Sequence, residues 1–127
     1  MLKRIAVIND LSGFGRCSLT ATLPVISAIG IEACPMPTAI LSNQTGYPSF
    51  LCTDYTENLY SYINEWRKLG VKFDGILTGY LTSAKQAKSS MILLKNLQTS
   101  ILLYLLTPLW QMTVCYMIHM TQTSAKR

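Results

Sequence analysis

Acidic residues are scarce in this chain and missing from its last third: six Asp and Glu stand against eleven Lys and Arg, and none lies beyond Ala87. Up to Ala87 there are seven basic and six acidic residues, and from Lys88 onward four and none, so the net charge of +5 belongs to the tail. A nucleic-acid partner for the main body is therefore not expected. Histidine occurs once, at His119, and Cys17, Cys34, Cys52 and Cys115 share no metal-ligand spacing. That excludes the usual zinc patterns and predicts no metal site, only reduced thiols of a cytoplasmic protein. A secretory leader is not expected either, because Asn9 and Asp10 cut the first apolar run short after Met1-Leu2-Lys3-Arg4. The one extended apolar stretch, Ile101 to Ile118, is interrupted by Pro108 and Gln111. It barely reaches the roughly 18 residues of a span, so no membrane partner is expected.

What is present reads as α/β. Half of the 127 residues are hydrophobic, enough for a real core in one domain or part of one. Ile5-Ala6-Val7-Ile8 is short and β-branched, as in a buried parallel strand. Asp10-Leu11-Ser12-Gly13-Phe14-Gly15-Arg16-Cys17-Ser18-Leu19-Thr20 follows as a strand-to-helix turn, with Cys17 or Ser18 opening the helix. Leu19, Leu23, Val25, Ile26 and Ile29 form that helix's apolar positions, and Gly30 suits its left-handed cap. Such a turn, at the carboxyl end of a first strand, is where open α/β sheets place ligands, although packing alone also explains a glycine turn. A dinucleotide fingerprint is incomplete, since Ser18 stands where a third glycine is needed.

A second strand is expected over Ile31 to Cys34, with Pro35 and Pro37 marking an edge or strand end. The run Thr38 to Leu41 leads into a polar turn, Ser42-Asn43-Gln44-Thr45-Gly46-Tyr47-Pro48, whose groups either line a pocket for a small polar ring or cap one another. Asp54 or Thr56 caps a second helix through about Leu69, with Leu59, Tyr62, Ile63 and Trp66 inward and Gly70 as its stop. Gly75 to Leu81 reads as a strand ending in a glycine turn, and Ser83 caps a helix beginning at Ala84. Alternating strands and helices predict a mainly parallel sheet.

Three segments together are specific. Asn9-Asp10-Leu11-Ser12-Gly13-Phe14-Gly15-Arg16-Cys17-Ser18, Pro37-Thr38-Ala39-Ile40-Leu41-Ser42-Asn43-Gln44-Thr45-Gly46-Tyr47 and Phe73-Asp74-Gly75-Ile76-Leu77-Thr78-Gly79-Tyr80-Leu81 resemble the amino-terminal half of bacterial pyridoxal/pyridoxamine kinases. The match runs from Lys3 to about Ala87, in the order and spacing of these ribokinase-like vitamin kinases. The resemblance implies a three-layer α/β fold with a mainly parallel sheet, here truncated. It implies phosphorylation of the 5′-hydroxymethyl group of a B6 vitamer, in pyridoxal 5′-phosphate salvage, with ATP and Mg2+ as cofactors. It also implies a homodimer for a full-length protein. By the same resemblance Asp10 and Ser12 stand on the side of the pyridine ring's polar groups, Thr45 and Gly46 at a second ring-contacting turn, and Tyr80 near the ring face. Thr82 departs from the pattern, where relatives often carry glycine. Hydroxymethylpyrimidine kinase is the alternative within the superfamily. Outside it, a non-catalytic small-molecule-binding or membrane-associated fragment remains.

Residues 88–127 leave the pattern. The family's Asp-Pro-Val-Met strand end, glycine-rich anion hole and catalytic aspartate have no counterpart there, so no catalytic residue is expected in this chain. Regrouping the codons so that each triplet starts with the preceding codon's last base explains the tail. Met112 into Thr113 and Met117 into Ile118 then force aspartate, Trp110 into Gln111 forces alanine, and Cys115 into Tyr116 forces leucine. With permitted bases elsewhere, Leu106 through Met120 becomes Asp-Pro-Val-Met-Ala-Asp-Asp-Gly-x-Leu-Tyr-Asp-Thr-Tyr, similar to the missing segment. The expectation is a family part over 1–87 and an out-of-frame, inactive tail over 88–127.

Overall fold

The computed structural model describes residues 2–96, the side chains of 91–96 excepted. Four strands form one sheet in the order β3-β2-β1-β4. These are β1 (Arg4–Phe14), β2 (Glu32–Asn43), β3 (Cys52–Asp54) and β4 (Gly75–Thr78). β1 pairs in parallel with both β2 and β4, while β3 adds an antiparallel edge opposite Ala39–Leu41. Helices α1 (Ser18–Ala28), α2 (Thr56–Lys68) and α3 (Ala84–Asn96) complete the α/β architecture.

Period-two alternation in β1 divides the core into two layers. Ala6 and Ile8 join Met36, Leu59, Ile63, Phe73 and Ile76 beneath α2. Val7 packs on the opposite face with Leu19 and Ile26 of α1. Helices on both faces are what a sheet of parallel, apolar strands requires. On α2 the inward positions are those expected: Leu59 and Ile63 are sealed, and Tyr62 and Trp66 pack against the same cluster. Gly30 and Gly70 close α1 and α2 with φ of +78° and +63°.

Two expectations need correction. Asp10, Leu11, Ser12 and Gly13 belong to β1 itself, which runs on to Phe14, and the turn into α1 is only Gly15–Cys17. Pairing with β2 through Phe14↔Asn43 sustains the strand beyond its apolar segment. Pro35 and Pro37 do not end β2 either, which passes through both. Glu32 donates its N–H to the Lys3 carbonyl, so the even-numbered donors face β1 and both prolines lack a donor on the side away from it. That side is open, because β3 reaches only Ala39–Leu41. The register slips between Asn9 and Leu11, where β2 carries an extra residue.

Helix α3 crosses position 88 and continues to Asn96. The tail expectations beyond Asn96, including the apolar stretch from Ile101 to Ile118 and the regrouped segment from Leu106 to Met120, lie outside the described residues. Among the described residues no helix is long and apolar enough to cross a membrane.

Candidate functional site

Asp10 and Ser12 project from β1 on the face that also carries Ala6 and Ile8, close to the carboxyl ends of the parallel strands. Both are sealed, at 4% and 1% exposure, and Ser12 Oγ donates to Asp10 Oδ2 at 2.9 Å. Among the described residues the Asp10 carboxylate accepts no other side-chain or main-chain donor. A buried carboxylate with one neutral donor and no cation is incompletely compensated, so a ligand bearing an N–H or O–H donor is favoured beside it.

Tyr80 follows β4 and is half-buried. Its N–H donates to Asn9 Oδ1 at 2.7 Å, and its carbonyl accepts from Thr38 Oγ1 at 2.7 Å. Burial first, then the charges of Cys52, Asp10 and Asp54, push the Tyr80 hydroxyl above its ordinary pKa. Burial, then Asp54 and Asp10, likewise raise the Cys52 thiol. The fold therefore brings Asp10, Ser12 and Tyr80 into one electrostatic neighbourhood.

Thr45 and Gly46 are solvent-exposed. They lie in the exposed loop after β2, which is anchored by the Gln44 N–H donating to the Phe14 carbonyl at 2.8 Å and by Phe14 against Tyr47, ring centres 5.5 Å apart. Phe14, at the base of that loop, is four residues along β1 from Asp10, or about 13 Å of strand. Gly15, at φ +90°, lets the chain turn there under Gln44.

A second polar group, not expected as one from the sequence, borders Tyr80. Gln86 is fully buried; its Oε1 accepts from the Thr82 N–H at 2.7 Å, and its Nε2 donates to the Thr38 carbonyl at 2.7 Å and Thr56 Oγ1 at 2.9 Å. Asp54 accepts from the Thr56 N–H at 2.7 Å and from the Thr82 hydroxyl. Hydrogen bonds from Thr56 and Thr82 hold the Asp54 carboxyl below the usual carboxylate range. Thr82 thus joins this polar group, its N–H donating to Gln86 and its hydroxyl to Asp54. The signal for the group was polar residues at positions that the helical and strand periods bury, Thr38 and Gln86 foremost.

Among the described residues no group of three or more His, Cys, Asp or Glu side chains gathers to hold a metal ion.

A mainly parallel sheet covered on both faces, with buried polar groups toward the carboxyl ends of its parallel strands, is that of an α/β protein of the ribokinase-like kinase fold. Within that fold it resembles solved structures of pyridoxal kinases and of a protein assigned as a phosphomethylpyrimidine kinase. A Bacteroides thetaiotaomicron protein assigned as a phosphomethylpyrimidine kinase superposes with a TM-score of 0.79 and 44% identity, over 83% of this chain and 36% of that one. An orthorhombic form of the Bacteroides protein contains pyridoxal. Pyridoxal kinase from Lactobacillus plantarum superposes with a TM-score of 0.77 and 28% identity, over 82% of this chain and 38% of that one. The Leishmania donovani pyridoxal kinase complex with ADP and pyridoxamine shares the fold at a TM-score of 0.64 and 18% identity, over 80% of this chain and 39% of that one. The chain thus spans under two-fifths of the length of these relatives. No family model and no curated protein matches it.

Proposed function

We propose that this chain supplies the ring-binding side of a kinase that phosphorylates the 5′-hydroxymethyl group of pyridoxal, pyridoxine or pyridoxamine. The observation that carries the reading is the sealed Asp10 carboxylate, with Ser12 as its one donor among the described residues, within electrostatic reach of the half-buried Tyr80. Asp10 accepts a proton-bearing ring nitrogen or phenol, and Tyr80 offers an aromatic face for stacking on a pyridine. Thr45 and Gly46 meet the ring from the outer rim. In the complete reaction the hydroxymethyl oxygen bonds to the γ-phosphorus of MgATP as the bond to ADP breaks, and the hydroxyl proton passes to a base. Residues 88–127 carry no counterpart of the family's glycine-rich anion hole or catalytic aspartate, so the chain alone is expected to turn over little or no substrate.

The 44% identity to a protein assigned as a phosphomethylpyrimidine kinase favours hydroxymethylpyrimidine as the second reading. Both are six-membered rings that present polar groups to a carboxylate, but they differ in the number of ring nitrogens and in the donors around the hydroxymethyl carbon. Equilibrium titration of the 127-residue chain with pyridoxal and with 4-amino-5-hydroxymethyl-2-methylpyrimidine separates them. Tighter binding of pyridoxal that is lost in Asp10→Ala supports the vitamer reading. Preference for the pyrimidine supports the second, and binding of neither rejects both.

A further inference from the structure

Asp10, in β1, and Tyr80, in the turn after β4, are far apart in the chain, yet their main-chain N–H groups meet at a single side-chain atom. Asn9 Oδ1 accepts the N–H of Tyr80 at 2.7 Å and the N–H of Asp10 at 3.0 Å. Two main-chain donors converging there require the amide oxygen in that place rather than its nitrogen. On the other side of Tyr80, the carbonyl accepts the Thr38 hydroxyl, itself fully buried in β2. Tyr80 is therefore gripped at both main-chain groups by side chains of β1 and β2.

Gly79 completes the grip. Its N–H donates to the Ile8 carbonyl at 2.8 Å, and a Cβ at this position would fall inside the Asn9 carboxamide. Only a residue without a side chain lets Asn9 reach past it to Tyr80.

We infer that Asn9 and Thr38 are positioning residues, whose side chains fix the Tyr80 backbone so that its ring is held beside the Asp10–Ser12 pair. This rests on the reading of that pair and Tyr80 as the ring-binding site, and neither Asn9 nor Thr38 is assigned a contact with the ligand. Gln86 extends the arrangement, because its Nε2 donates to the Thr38 carbonyl and holds that strand position against α3. A fixed aromatic loses less freedom on binding than one that must be ordered by the ligand.

The test uses the 127-residue chain and two readouts. The first is pyridoxal affinity. Thr38→Val, which keeps the shape and removes the hydroxyl, should weaken it about tenfold, the scale of one lost hydrogen bond. Thr38→Ser, which keeps the donor, should restore parental affinity. The second readout is the titration of Tyr80 followed by carbon-13 NMR of labelled tyrosine, with Tyr80→Phe to assign the signal. In the parent this hydroxyl titrates above the ordinary tyrosine value; in Thr38→Val it should fall back toward that value, and in Thr38→Ser it should not. A Val variant whose Tyr80 titration stays at the parental value overturns the inference even if affinity drops. If the parent binds no pyridoxal, the vitamer reading fails, and the titration pair still decides the positioning role. Should Thr38→Val not fold, amide exchange in the parent decides: a protected Tyr80 N–H supports the grip, and rapid exchange there overturns it.

Discussion

Ser12 Oγ donates to Asp10 Oδ2 at 2.9 Å inside a layer from which water is almost excluded, the two residues being 1% and 4% exposed. Spacing along β1 puts both on one face, so the pair is made by the strand period and needs no loop to assemble it. Ser12→Ala removes the carboxylate's donor and leaves the charge buried. Urea denaturation should show a loss of about 1–3 kcal/mol, larger than for an exposed serine such as Ser61.

Gly79→Ala should be costly for a different reason. The new methyl group would collide with the Asn9 carboxamide, which holds Tyr80 and Asp10 at once. Overpacking of this kind costs about 1–3 kcal/mol, and the Tyr80 amide should become the first in β4's neighbourhood to exchange. Gly30→Ala tests a separate feature: nothing lies within reach of its Cβ, so only its φ of +78° resists the change.

Acid should weaken the tie between β3 and the turn after β4. Asp54 has its folded pKa lowered by Thr56 and Thr82, so its contribution is complete above the ordinary aspartate value near ~4. It is lost as pH falls through the lower, folded value. Urea midpoints measured between pH 6 and pH 3 should therefore fall less steeply in Asp54→Asn than in the parent. Equal slopes would show that the tie does not form in solution. Because Asp54 is exposed, the difference is expected to be small.

Much of this arrangement is legible in the residues. The apolar segment Ile5–Ile8, the face Leu59–Tyr62–Ile63–Trp66 and the stops at Gly30 and Gly70 follow from period and turn chemistry. The extent of β1 and β2 does not. Local reading stops a strand at Asp10 and at Pro35, whereas pairing between the two strands carries both onward past a bulge. Strand β3 is three exposed residues with no hydrophobic pattern, and only its partners Ala39–Leu41 define it. Asp10, Ser12 and Tyr80 can be picked out by resemblance, but the roles of Asn9, Thr38 and Gln86 are long-range. The Asn9–Tyr80 bond spans 71 positions, and no spacing rule reports it. Thr45 illustrates the converse: its segment is recognisable, yet the described fold leaves it at the exposed end of the sheet.

That placement predicts an order of effects on vitamer binding. Asp10→Ala removes the buried acceptor and should weaken pyridoxal binding by about ten- to a hundredfold, the range for a lost buried hydrogen bond. Thr45→Ala, at the rim, should cost less. Equal losses in the two variants, measured by equilibrium titration, would put the loop over the ring and not beside it.

The most direct measurement is a map of where pyridoxal touches the chain. Nitrogen-15 and carbon-13 NMR spectra of the 127-residue protein, recorded during a pyridoxal titration, should shift first and most at Asp10, Ser12 and Tyr80, with smaller changes at Asn9 and Thr38. Shifts centred instead on the shallow recess of α2, lined by Ser61, Asn64 and Lys68, or an unchanged spectrum at saturating pyridoxal, would contradict the assignment of the ring-binding site.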